Sequence, residues 1–198
     1  MGAVRTAEGR NRMNVIPAGA EVTYTVTFLE MSAPPRDRAP ALPEDVRLES
    51  CVKPPVWFFL SLYNAVGWMY EWVDKLAEDR ETLRSFVQHP DVTLCVAFRD
   101  GWPAGFFQLD WRVAGICDLA YFGLVPEAVG GGLGGPLLRH AIAQGWSRAG
   151  VGKMTVNTCT LDHPRALDLY RQAGFRPVRT EDHSRILARD RDPSLFPA

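Results

Sequence analysis

The sequence predicts an α+β protein built on a single sheet, and three observations carry that reading. Strand-like runs "VTLCVAF", "AGFFQLDW" and "AGICDLAYFGLV" follow one another with no helix between them. A glycine cluster, Gly130 to Gly132 with Gly134 and Gly135, then separates the last of them from a helix-like run. An aromatic stretch from Pro55 onward is long enough for two helices ahead of the strands. A repeating βαβ fold would alternate strands and helices instead, and there is no internal repeat or low-complexity tract.

Residues before about Glu21 are rich in Gly, Asn and Ala and lack a period, so 1–20 read as a loose N-terminal segment and 21–198 as one domain. Tyr24, Val26 and Phe28 alternate with Thr residues, the pattern of a half-buried strand. Pro34, Pro35, Pro40 and Pro43 mark an irregular connection. "VRLESCV" reads either as a short strand or as an extended approach to the next helix.

In the aromatic stretch Gly67 is a candidate interruption and Asp79 a candidate turn or cap. Trp57, Phe58, Phe59, Tyr63, Trp68, Tyr70 and Trp72 fill a core on one reading and line a substrate cleft on the other. Asp100 to Pro103 supply a hairpin turn between the first two central strands. Behind the glycines, Leu137, Leu138, Ile142 and Trp146 recur at helical spacing, and "KMTVNTCT" returns to strand. Asp162, His163 and Pro164 precede the helix "RALDLYRQAG", with Asp162 expected as its cap, and one or two strands follow from Phe175.

At 198 residues and 46% apolar, the chain can bury one substantial core. Its 22 basic and 23 acidic residues leave no extended basic block, which argues against a nucleic-acid partner. Cys51, Cys95, Cys117 and Cys159 are widely spaced and fit buried free thiols better than a disulfide or metal framework. With no apolar span of transmembrane length and no recognisable secretory signal, a soluble cytoplasmic protein without a membrane partner is expected.

The glycine cluster suits a loop whose backbone amides receive an anion, because side-chain-free residues let a ligand approach and the following helix offers unpaired N–H groups. A mobile loop that merely turns is the competing reading. A dinucleotide fold is excluded because the glycines follow at least three strand candidates, and a Walker loop because no Gly-Lys-Ser or Gly-Lys-Thr ending is present.

Several separated features together resemble the GCN5-related N-acetyltransferase (GNAT) superfamily. "YFGLVPEAVGGGLGGPLL" is similar to its acyl-coenzyme A pyrophosphate motif, and "VNTCTLDHPRALDLYRQAGF" to its second cofactor motif, with residues 92–178 covered best. The family commonly has Arg or Gln where this chain has Val129, but such loops hold phosphate mainly through the main chain. The resemblance implies a strongly twisted mixed sheet flanked by helices, with a V-shaped split between the fourth and fifth main strands.

It also implies a direct, acetyl-CoA-dependent transfer to a primary amine. Phe122, Gly123 and Leu124 would hold the pantetheine arm, with the Leu124 N–H near the thioester carbonyl. Val129, Gly130, Gly131, Gly132, Leu133, Gly134 and Gly135 would form the pyrophosphate cradle. Tyr170 becomes the acid near the cofactor sulfur, against a core tyrosine on the residues alone. Asp118 occupies a position that holds a general base in some relatives, against a substrate contact or a solvent-facing strand residue. Asn157 would orient cofactor or water, or satisfy a local turn.

His163 has no nucleophile partner, and the His, Cys and carboxylate spacings require no metal. The acceptor, a small-molecule or peptide amine, would enter beside the aromatic 55–75 region. A homodimer through a terminal strand or an exposed aromatic surface fits the family as well. The alternative function is a catalytically inactive acyl-CoA-binding or regulatory module.

Overall fold

The computed structural model describes residues 15–195. Seven strands form one sheet: β1 (Glu21–Met31), β2 (Val46–Cys51), β3 (Val92–Arg99), β4 (Trp102–Asp110), β5 (Ile116–Leu124), β6 (Lys153–Cys159) and β7 (Arg176–Ile186). Five helices accompany them: α1 (Val56–Gly67), α2 (Asp74–Ala77), α3 (Arg80–Val87), α4 (Gly134–Gly145) and α5 (Ala166–Ala173). The spatial order is β2-β3-β4-β5-β6-β1-β7. All neighbours are antiparallel except β5 and β6, which makes the sheet mixed, and the fourth and fifth strands of this order are that parallel pair.

Local chemistry explains the elements. The β3–β4 hairpin turns through Asp100 and Gly101, both at positive φ (48° and 87°), the conformation a tight two-residue hairpin demands. Asp79 caps α3 by accepting from the Glu81 and Thr82 amides at 3.0 Å each, which satisfies two of the donors the helix start leaves open. Of the two readings of "VRLESCV", the strand is realised as β2, paired along β3. One strand, β7, follows Phe175.

Residues 1–14 lie outside the described residues, so most of the expected N-terminal segment does too. Ile16 exchanges backbone hydrogen bonds with Arg191, and the Gly19 amide donates to Leu187 O, which ties residues 16–20 to the segment after β7.

The two faces follow from strand alternation. Phe106 and Tyr121 meet Phe59 of α1, and Gly123 faces Val66, so these positions look toward α1. Phe122 looks the other way and meets Tyr170 of α5. Ala120 has no partner in the β4 register, a bulge that adds local twist to β5. The core joins Phe59, Phe106, Phe107, Leu119, Leu137, Ile142 and Met154, all buried, each large apolar side chain contributing about 1.5–3 kcal/mol on burial.

The aromatic stretch divides between both roles weighed for it. Phe59 and Tyr63 are buried, whereas Trp57 and Trp68 are 64% and 55% exposed, so these two do not fill the core. Trp72 folds back over Gly67, where an added Cβ would overlap its side chain. Three arginines after or within β7 hold the intervening turn by its carbonyls: Arg185 on Glu71 O, Arg189 on Trp68 O and Arg191 on Met69 O. Cations at the carbonyl end of a helical segment are favoured by its dipole.

Gly67→Ala is expected to displace Trp72 and lower stability by about 1–3 kcal/mol, read by denaturant unfolding. An unchanged midpoint would mean that Trp72 has room to move.

Candidate functional site

Parallel pairing between β5 and β6 covers only Ile116, Cys117 and Asp118 against Lys153, Met154 and Thr155. Beyond Asp118, β5 continues to pair with β4 as far as Leu124, while β6 follows β1. The strands therefore diverge, and Phe122, Gly123 and Leu124 have no partner on the β6 side. An extended ligand can complete that edge by strand-like hydrogen bonding.

The glycine loop lies at the end of β5. No backbone hydrogen bond outside the regular elements uses an N–H of residues 130–135 as donor among the described residues. Gly134 and Gly135 open α4, where no intrahelical acceptor exists, no side chain caps the helix and no acidic residue stands in the first turn. Gly130 and Gly132 adopt φ of 84° and 76°, and both face open space where a Cβ would stand. The loop thus presents unsatisfied donors at a positive helix end, which fits a diphosphate. Pro136 is the third residue of α4, where its missing N–H costs little.

A cavity of about 820 Å³ passes through the split. On one side it is lined by Val129, Gly130, Gly132, Gly134, Gly135 and Tyr170, on the other by Tyr63, Trp72, Tyr121 and Asn157, with Phe122 to Leu124 between. Of the predicted cradle, Leu133 turns its side chain into the core at 0% exposed, and Gly131 packs against Arg99. A second cavity of about 790 Å³ opens on the α1 side between α3 and the sheet, and Tyr121 and Asn157 line both.

Tyr170 sits on α5 at 6% exposed, edge-on to Phe122 and Phe175. Burial, reinforced by the charges of Asp162 and Asp118, pushes its phenol well above the ordinary tyrosine value, so it stays protonated across the physiological range. Asp118 lines the second cavity and accepts from Thr155 Oγ1 at 2.5 Å. Burial raises its carboxyl above the usual range, the Thr155 hydrogen bond opposes that, and Asp110 adds to it. Tyr170 and Asp118 thus lie on opposite faces of the split sheet.

Asn157 is exposed on β6, on the same face as Asp118. Asp162 does not cap α5, whose first turn follows Arg165 without a side-chain cap. Its Oδ2 accepts instead from Thr158 Oγ1 at 2.7 Å and the Cys159 amide at 2.9 Å, and its Oδ1 from Trp72 Nε1 at 3.2 Å. That carboxylate closes the β6 end and fixes the indole beside the cavity. His163 Nδ1 accepts from the Arg165 amide at 3.1 Å, and burial lowers its pKa. No group of three or more His, Cys, Asp or Glu residues able to hold a metal occurs among the described residues.

The aromatic stretch already offered Trp72 as a cleft residue, whereas sequence reasoning missed Tyr121 and Arg99. Nothing local marks these two, because each reaches the site only through strand register or a long-range contact.

The profile of the acetyltransferase (GNAT) family matches residues 59–175, and the chain belongs to that family. No curated protein matches it. Among solved structures, a GCN5-related N-acetyltransferase from Sphaerobacter thermophilus is 16% identical, with TM-score 0.55, 89% of this chain covered and 54% of the other. A GNAT-family protein from Novosphingobium aromaticivorans is 16% identical at TM-score 0.57, covering 86% and 70%.

An aminoglycoside acetyltransferase from an uncultured soil metagenomic sample is 17% identical at TM-score 0.53, covering 66% and 88%. At these identities the likeness is one of fold. The chain spans 54–63% of the length of several such neighbours.

Because folding favours the protonated form of Asp118, its contribution to stability is fully present below the unfolded value of about 3.9. It is lost as pH rises through the raised folded value. Asp118→Asn should therefore leave the thermal midpoint at neutral pH unchanged or higher and flatten its decline above about pH 4. A clearly lower neutral midpoint would show that the ionised carboxylate stabilises the fold.

Proposed function

We propose that residues 21–198 act as one acyltransferase domain that moves an acetyl group from acetyl-CoA to a primary amine. The observation that carries this reading is the cavity through the β5–β6 split, with unsatisfied loop amides on one face and Tyr121 and Asn157 on the other, where those two residues also line the second cavity that holds Asp118. Bound acetyl-CoA supplies an already activated thioester acyl group. The family match supports acetyl transfer, and the aminoglycoside acetyltransferase among the structural neighbours is an enzyme acting on an amine-bearing small molecule.

The chain's own residues divide the work. Amides of residues 130–135 bind the diphosphate, and the free edge at Phe122 to Leu124 aligns the extended arm. The Leu124 N–H orients and polarises the acyl oxygen. The Tyr170 hydroxyl holds its proton until thiolate character develops, then donates it to sulfur. Asp118, a stronger base than an ordinary carboxylate, accepts the proton that the acceptor ammonium must lose, directly or through a water. The aromatic wall of Tyr63, Trp72 and Tyr121 shields this region from bulk water. Four free cysteines and the lack of any membrane-length apolar helix among the described residues support a cytoplasmic setting.

Calorimetric titration should show saturable binding of acetyl-CoA and coenzyme A but not of ATP at equal concentration; no binding by folded protein removes the proposal. Tyr170→Phe should keep coenzyme A affinity within about twofold and lower kcat by about a hundredfold or more. Full turnover in that variant, at unchanged affinity, excludes Tyr170 as the acid.

A further inference from the structure

The Arg99 guanidinium is a cation without a satisfied set of acceptors, placed against the glycine loop. It stands at the end of β3, only 17% exposed as a side chain, and its Nη1 would lie 3.2 Å from a Cβ built on Gly131. Its Nε is buried 2.8 Å from Asp45 Oδ2, yet the N–H does not point along that contact, so the pair is held by charge and not by a formed hydrogen bond. Neither η nitrogen has a hydrogen-bond acceptor among the described residues. Asp45 balances the charge of this largely buried guanidinium, but its η donors remain open to a further acceptor.

The loop beside it also offers donors without acceptors. Its amides have no acceptors, and Val129 brings no side-chain donor. A side chain at 131 would meet Nη1 at 3.2 Å, so the guanidinium would have to give by a few tenths of an ångström.

We infer that Arg99 is a diphosphate-binding residue of the cofactor cradle, supplying from β3 the positive charge that position 129 lacks. This rests on the coenzyme A reading of the loop. The arginine reaches the loop at Gly131, outside the lining of the cavity itself, and so acts on the phosphate charge and not on the acyl end, which lies within the cavity between Leu124 and Tyr170.

Dissociation constants for coenzyme A, dephospho-coenzyme A and pantetheine would be compared in the wild type, Arg99→Gln, Arg99→Lys and Asp45→Asn, with thermal midpoints alongside. Arg99→Gln should weaken coenzyme A and dephospho-coenzyme A by the same factor, about tenfold or more, and leave pantetheine within about twofold. Arg99→Lys should recover part of that loss. Asp45→Asn, which removes the competing carboxylate and keeps the guanidinium, should bind coenzyme A as tightly as the wild type or tighter.

Equal coenzyme A affinity in wild type and Arg99→Gln overturns the inference. So does a loss confined to coenzyme A and absent for dephospho-coenzyme A, which places the arginine at the 3′-phosphate. A parallel loss in Arg99→Gln and Asp45→Asn, with lowered midpoints in both, overturns it too, since Arg99 then serves only the ion pair. If the wild type itself binds no coenzyme A, the reading of the loop fails and the role of Arg99 falls with it, whereas tight wild-type binding unchanged in Arg99→Gln removes the inference alone.

Discussion

Everything distinctive in this protein depends on two neighbouring strands that part after three residue pairs. In a continuous sheet the backbone groups of Phe122 to Leu124 would be spent on β6, and no passage would link the faces. Divergence leaves them available and opens the cavity around them. Exposed strand edges are normally guarded against unwanted pairing. Here the edge is recessed between helical layers, with Tyr63, Trp72 and Tyr121 on one side and Tyr170 with Phe122 on the other.

The split sorts the charges as well as the backbone. On the α4–α5 side lie a helix start without cap or acid, a donor-rich glycine loop and Arg99, all of which attract negative charge. On the α1 side lie Asp118, Asp110 and Glu78, which favour a cation, although Arg112 and Lys75 pair with the last two. The cavity through the sheet therefore joins an anion-seeking mouth to Tyr121 and Asn157, beyond which the second cavity carries the half-buried Asp118 carboxylate, held by Thr155 and without an ion-pair partner among the described residues. The proposed transfer uses that polarity to bring an anionic donor and an amine acceptor together from opposite faces.

Much of this was legible in the residues. Alternation in "EVTYTVTFLEM" predicts β1 because a half-buried strand carries a period of two, and the short, largely apolar runs of the centre predict β3, β4 and β5, of which β3 and β4 are buried on both faces. The glycine loop is legible because glycine adopts the positive φ found at Gly130 and Gly132 without the steric cost a side chain brings. What could not be read is long-range. The position of β1 between β6 and β7 depends on pairing across more than a hundred residues, and the 16–20 strap on contacts with residues 187–191. Asp162 misleads because its sequence context, one residue ahead of His-Pro, matches a helix cap. In the fold its carboxylate is captured by the β6 turn and by Trp72, a partner 90 residues away. Arg99 carries no motif at all; its importance appears only where Gly131 meets it.

The central claim is that one ligand spans the glycine loop and the free edge of β5, and amide hydrogen exchange with and without coenzyme A tests it most directly. The account predicts slowed exchange on ligand addition in residues 130–135 and in Phe122 to Leu124 together, with little change along β2 and β3. Protection confined to the loop, or appearing elsewhere with the β5 edge unchanged, would contradict it.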